Sequence, residues 1–345
     1  MQRALASVRR IDDLRPIDGA DRIETAVIGG WTVVVRRGEF AVGDTAVFLE
    51  LDAVPPDEAP YRFLWTRGAD SPQPGTRPAK FRVRTMKLRG QLSQGVLLPL
   101  DAVGVDPATP AGTDVTEQLG VTKYEPPLPA GMGDARAPYP TRLVPKNDEL
   151  RVQSHPELAG ELAGEPWVAT VKMDGTSSTF LLDPDDGEFH ACGRNWSIAD
   201  GENAYWSIAR RYDMPAKLAA VDGRYALMGE ICGPGIQTNP AGLAQVSWFC
   251  FGAYDLRERR DLGHDELAGL CEDLGLPTVP LAASGERFDL SVDDLLVLAE
   301  GRYPGTDTPR EGIVVRPAHY RYSPTLGRGL SFKVVANSYL LGETD

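Results

Sequence analysis

Lysine is scarce in this chain of 345 residues: the 36 basic side chains include seven lysines, at positions 80, 87, 123, 146, 172, 217 and 333, and the rest are arginine. Charge alone is therefore supplied by arginine, which keeps its proton in a protein. A desolvated lysine can become a neutral nucleophile, so the few lysines invite a chemical reading. Cysteine is equally sparse. Cys192, Cys232, Cys250 and Cys271 form no Cys-x-x-Cys pair, which argues against a zinc knuckle or a disulfide frame and for reduced, buried thiols. Histidines 155, 190, 264 and 319 show no metal-ligand spacing. No apolar run approaches the roughly 20 residues of a spanning helix, and the first residues do not read as a secretory signal. The expectation is a protein without a membrane partner, located in the cytoplasm.

The net charge of −13 counts against indiscriminate polyanion binding, yet it is unevenly spread. Between Arg62 and Arg89 stand eight basic residues against the single acid Asp70, interleaved with Phe63, Trp65 and Phe81. Cations with aromatic faces suit a nucleic-acid groove.

Organisation follows from periodicity. Residues 1–122 read as short strands: Ala4 to Ile11, Arg22 to Ile28, Trp31 to Val35, Ala46 to Leu51, Phe81 to Thr85 and Gly95 to Leu100. These suffice for an OB-like β-barrel that binds nucleic acid. Prolines 126, 127, 129, 138, 140 and 145 mark residues 123–145 as a linker without regular helix or central strand. In 146–345, candidate strands at Trp167 to Lys172, Thr176 to Leu182, Glu188 to Gly193, Tyr225 to Ile231, Trp248 to Tyr254, Gly312 to Arg316 and Leu330 to Val335 alternate with helical spacing at Tyr205, Ile208, Ala209 and Tyr212, and at Leu267, Leu270 and Leu274. The fold class is α+β.

Lys172-Met173-Asp174-Gly175 ends a predicted strand. It is followed by Arg194-Asn195, Gly229-Glu230, Phe251-Gly252-Ala253-Tyr254, Glu311 to Arg316 and Ser331-Phe332-Lys333, each beside a predicted strand. In this order they resemble the nucleotidyl motifs of covalent nucleotidyltransferases, the superfamily of ATP-dependent ligases and capping enzymes. A barrel ahead of that domain, only 12 residues after Lys333, and the runs Lys87 to Gly95 and Pro145 to Gln153 narrow the resemblance to the Deinococcus-type RNA ligases.

That resemblance implies an OB domain followed by an adenylyltransferase domain. Together they would seal a 3′-OH to a 5′-phosphate in nicked duplex RNA or RNA/DNA hybrid whose 3′-OH strand is RNA, with ATP as AMP donor and magnesium or manganese as counter-charge. It implies Lys172 as nucleophile, Asp174 and Glu311 as holders of the metal through its water shell, Phe251 stacked on adenine, Arg194 and Glu230 on the ribose, and Lys333 at the α-phosphate. Relatives often carry a further lysine two residues before the last one. Here that place is Ser331, with Arg316 a candidate substitute. The alternatives are a DNA ligase, a capping-type nucleotidyltransferase, and a non-catalytic RNA-binding protein with a vestigial nucleotide pocket. In isolation, Asp174-Gly175 also reads as a hairpin turn. The stretches 62–89 and 316–322 are candidates for contacting the RNA.

Overall fold

The structure is a computed structural model, described over residues 4–65, 77–124 and 133–342. The chain divides into two compact units, one built from the sequence up to Pro127 with the extreme C-terminus from Leu340, the other from Leu128–Tyr339.

In the first unit, Ala6–Arg10, Thr45–Leu49 and Val96–Leu98 form one antiparallel sheet, while Asp13–Pro16, Ile23–Ile28 and Trp31–Arg36 form a meander. Along Trp31–Arg36 burial alternates, with Trp31, Val33 and Val35 inward, and Trp31 packs on Phe48 with ring centroids 5.9 Å apart. A hairpin, Thr85–Leu88 with Gln91–Gln94, leads through Gly95 into Val96–Leu98. Gly95 has φ +102°, and a Cβ there would lie 2.3 Å from the Phe48 ring, so only glycine turns this corner.

One expected strand is displaced. Val83 is buried and Arg84 exposed, as alternation requires, but residues 81–84 join no sheet and regular pairing begins at Thr85. Of the three interleaved aromatics, Trp65 is buried and meets Phe81 edge-on at 5.0 Å. These two are packing residues rather than stacking faces; Phe63 remains exposed. Arg67 and Asp70 lie outside the described residues.

The second unit contains two sheets. The larger runs Ala135–Pro138, Trp196–Ile198, Phe189–Cys192, Thr176–Leu182, Tyr225–Cys232, Ser247–Asp255 and Arg260–Asp261; the smaller runs Leu281–Gly285, Trp167–Lys172, Gly312–Pro317 and Phe332–Val335. Helices Ala204–Arg211, Met214–Ala220 and His264–Asp273 contribute Tyr205, Ile208, Leu218 and Leu267 to a core with Phe180, Leu227 and Trp248. Glu157–Leu162 and Val292–Ala299 supply Leu158 and Leu295 to a second core with Phe288 and Phe332. Within the proline-rich stretch, Ala135–Pro138 is a strand at the sheet edge, where a missing N–H is tolerated. All four cysteines are free and buried. Among the described residues no helix is long and apolar enough to cross a membrane.

Candidate active site

Lys172 is the last residue of its strand, and Thr176 opens the next. These strands belong to different sheets, so Asp174-Gly175 is a crossover between sheets and not a hairpin turn. The crossover is tight: a Cβ on Gly175 would lie 2.2 Å from the Ile231 carbonyl oxygen. This close approach brings the Gly175 N–H towards the Glu230 carboxylate, whose charged form it favours.

Glu311 immediately precedes the strand Gly312–Pro317, whose Gly312 pairs with Lys172. A Cβ on Gly312 would lie 2.1 Å from the Val334 carbonyl oxygen, so glycine lets the strand Phe332–Val335 close up at this point. The buried Tyr303 hydroxyl accepts from the Glu311 N–H at 3.1 Å and donates to the Lys172 carbonyl at 3.4 Å, fastening both strand ends. Lys172 Nζ consequently donates to Glu311 Oε2 at 2.7 Å. Asp174 Oδ2 accepts from the Tyr339 hydroxyl at 2.9 Å.

Three carboxylates therefore surround one ammonium. Burial pushes the Lys172 pKa down, but Glu311, Glu230 and Asp174 outweigh it and hold the amine above its ordinary value. Burial pushes Glu230 up to about 8, with Glu311 and Asp174 adding to the rise and Lys172 and the Gly175 N–H opposing it. From about pH 4 to about 8 the folded protein thus binds a proton that the unfolded chain releases, so stability falls as pH rises through this window. Glu230→Gln is expected to flatten that decline, read as unfolding temperature against pH.

Lys333 pairs with Val314, and Val314 with Thr170, two residues before Lys172. Lys172 and Lys333 therefore stand on the same sheet face. Ser331 is not a free hydroxyl but donates to Glu149. Arg316 shares that sheet face with Val314 and Lys333, and its Nη1 donates to the Phe251 carbonyl at 2.7 Å. Arg151 also stands beside Lys333, through a backbone bridge in which the Lys333 N–H donates to the Leu150 carbonyl and the Val152 N–H to the Lys333 carbonyl. Its only signal in the sequence is its place in the run Pro145 to Gln153.

Phe251 sits at a register shift, where Met228 faces Gly252 and Gly229 faces Cys250. Such a bulge re-aims its side chain, and the half-buried ring lines an open cleft with Ser177, Thr179, Met228 and Arg194. Ser177 and Thr179 are paired with Glu230 and Met228, so the cleft and Glu230 share a sheet face. Arg194 stands at the rim, bound to Asp148 at 2.9 Å. The structure thus gathers Lys172, Asp174, Glu230 and Glu311, and places Phe251 with Arg194 at a neighbouring cleft. Among the described residues no three histidine, cysteine or acidic side chains form a direct metal cage.

A family model described as an OB-fold domain matches residues 5–100, and one described as RNA ligase matches residues 165–335. Among solved structures, Naegleria gruberi RNA ligase is 34% identical. A mutant of it with AMP and manganese, and the protein with pyrophosphate, each match with a TM-score of 0.86 over 98% of both chains. This chain belongs to the RNA ligase family. Another mutant of that enzyme, with ATP and manganese, matches the ligase at a TM-score of 0.85 over 98% of this chain and 97% of the other. No curated relative matches it. In the ligase, the strand ends carrying Lys172 and Glu311 both lie within the matched ligase segment, and the hairpin Thr85–Gln94 within the matched OB-fold segment.

Proposed function

We propose that this ligase seals 3′-OH/5′-phosphate nicks in duplexes whose 3′-OH strand is RNA, with Lys172 as the covalent carrier of AMP. The observation that carries the reading is the cluster around Lys172: one half-buried amine, 2.7 Å from Glu311, with Glu230 and Asp174 as its other charged neighbours. Lys172 Nζ attacks the α-phosphate of ATP, a P–N bond forms, and the P–O bond to pyrophosphate breaks. The adenylyl group then passes to the 5′-phosphate of the nick, and the 3′-OH displaces AMP. Each transfer is an in-line substitution, so positioning and charge neutralisation supply most of the acceleration.

The acids outnumber the ammonium at this site, and hard oxygen donors in excess negative charge fit a divalent cation of the magnesium or manganese type. Asp174 and Glu311 would hold it through its water shell, and when bound it supplies counter-charge to the phosphates. With those carboxylates engaged elsewhere, burial is left as the main influence on Lys172, and burial favours the neutral amine. Glu311 therefore keeps the amine charged at rest and frees it when ATP enters. Phe251 offers its ring to adenine, Glu230 and Arg194 serve the ribose, and Lys333 with Arg151 neutralises the phosphate and departing pyrophosphate. ATP and the nicked duplex are the partners of this reading.

Matched nicks that differ only in the last 3′ sugar test it. A terminal ribose is expected to be sealed at least about tenfold faster than a terminal deoxyribose, because the 2′-hydroxyl is the handle that separates RNA from DNA. Equal rates would make the enzyme indifferent to RNA and overturn the substrate assignment.

A further inference from the structure

The chain carries no acidic residue from Ser71 to Leu100 but six basic ones, in a protein of net charge −13. Most arginines of the structure are tied down. In the second unit, Arg142, Arg224, Arg260, Arg321 and Arg328 all meet carboxylates. The stretch 316–322 is likewise engaged: His319 with Asp265, Tyr320 beneath Arg260, Arg321 with Glu165. In the first unit Arg62 pairs with Asp57, Arg77 donates to the Pro55 carbonyl, and Arg82 lies between Asp52 and the Tyr124 ring. Lys80, Arg84, Lys87 and Arg89 differ. All four are exposed, and no hydrogen bond or ion pair joins the side chain of any of them to another described residue.

These four side chains lie on or just before one hairpin, and the hairpin is held firmly at its root. The Thr32 hydroxyl donates to the Leu92 carbonyl at 3.3 Å, and the Val34 N–H to the Ser93 hydroxyl at 3.0 Å. Its tip is a two-residue turn in which Arg89 and Gly90 both take positive φ, +49° and +83°, the geometry that matches strand twist. Arg84 and Arg89 are separated by roughly 15 Å of extended backbone at about 3.3 Å per residue. A nucleic-acid strand offers a phosphate about every 3.4 Å of axis, so several fall within reach.

From this we infer that the hairpin Thr85–Gln94, with Lys80 and Arg84 at its base, is a docking surface for the phosphate backbone of the duplex flanking the nick. The inference rests on the nicked-duplex reading and adds the element that grips it. A duplex is favoured over a single strand because a single strand is held by aromatic stacking as well as charge. Here Trp65 and Phe81 are spent on each other, and the exposed side chains of the hairpin are cations, Met86 and Gln91. Duplex RNA is gripped through phosphates and shape, which cations on a rigid ribbon can do.

The test is equilibrium binding of a fluorescent nicked RNA duplex, and of its single strand, across a salt series. The parent is compared with Lys80→Ala/Arg84→Ala/Lys87→Ala/Arg89→Ala and with the charge-conserving Lys87→Arg/Arg89→Lys. For the fourfold variant the slope of log Kd against log salt is expected to shrink by about 3.6, near 0.9 for each of the four phosphates no longer neutralised, with duplex affinity falling at least about tenfold. The charge-conserving variant is expected to bind as the parent does, and an unchanged unfolding temperature shows that both variants are folded. An unchanged slope and affinity in the fourfold variant would overturn the inference, as would a loss confined to the single strand. Because binding is the readout, a parent that bound duplex but failed to seal nicks would refute the ligation reading and leave the hairpin result interpretable.

Discussion

Lys172→Ala is expected to abolish transfer of AMP from ATP to the protein, a loss of at least about a thousandfold, and Lys172→Arg is expected to do the same. Alanine removes the nucleophile. Arginine keeps the charge and can still bridge to Glu311, but its guanidinium does not surrender a proton. The pair of variants therefore separates nucleophilicity from electrostatic support. Both should fold, since the side chain is partly exposed and forms no part of a hydrophobic core. Radiolabel retained on denatured protein after incubation with ATP and a divalent cation measures the effect. Labelling of either variant at the parent's level would remove Lys172 from the role.

The second large effect is expected at Gly175. An added methyl would lie 2.2 Å from the Ile231 carbonyl oxygen and 2.8 Å from Cys232 Sγ, and the first of these is backbone that cannot swing aside. Gly175→Ala must therefore push the crossover away from the strand Tyr225–Cys232, withdrawing the Gly175 N–H from Glu230 and moving Lys172 from its carboxylates. A displacement near 1 Å is worth about a hundredfold in rate, and forced repacking costs about 1–3 kcal/mol of stability. Gly160→Ala is the matched control. It lies inside the helix Glu157–Leu162 with nothing within 4 Å of the added carbon, so a gain of up to about 1 kcal/mol is expected. Single-turnover adenylylation and denaturant midpoints of the two variants check the contrast. Equal behaviour would mean that the crossover is not the constraint described.

The ligase unit was legible because its strands are long and apolar. Trp167–Lys172 and Thr176–Leu182 follow directly from runs of β-branched and apolar residues, and the helix carrying Tyr205, Ile208 and Ala209 follows from its spacing. What the residues between those strands do was not legible from local pattern. Asp174-Gly175 has the composition of a turn, and only the pairing of its flanking strands with different sheets makes it a crossover. The position of Arg151 beside Lys333 depends on a bridge between segments far apart in the chain, which no local periodicity records. Arg316 shows the same dependence: the donation of its Nη1 to the Phe251 carbonyl joins two strands far apart in the chain.

In the barrel, the alternation at Phe81 to Thr85 correctly turned Val83 inward, yet alternation reports burial and not pairing, so the strand itself begins where that run ends. The aromatic residues there were ambiguous for a related reason. A tryptophan among arginines is compatible with stacking on a base or with packing on a phenylalanine, and only the 5.0 Å separation of the Trp65 and Phe81 rings decides it. The proline-rich stretch likewise excluded a central strand without excluding an edge one, which is where Ala135–Pro138 lies.

The most direct test of the central claim is the chemical location of the AMP. The protein is incubated with ATP and magnesium, digested, and each lysine-containing peptide is analysed by mass spectrometry, before and after a chase with nicked RNA duplex. One adenylyl group is expected, joined through an acid-labile P–N bond to Lys172 and discharged by the nick. An adduct on Lys333 or any other side chain, or sealing of the nick without a protein-bound adenylyl group, would contradict the assignment of Lys172 as carrier.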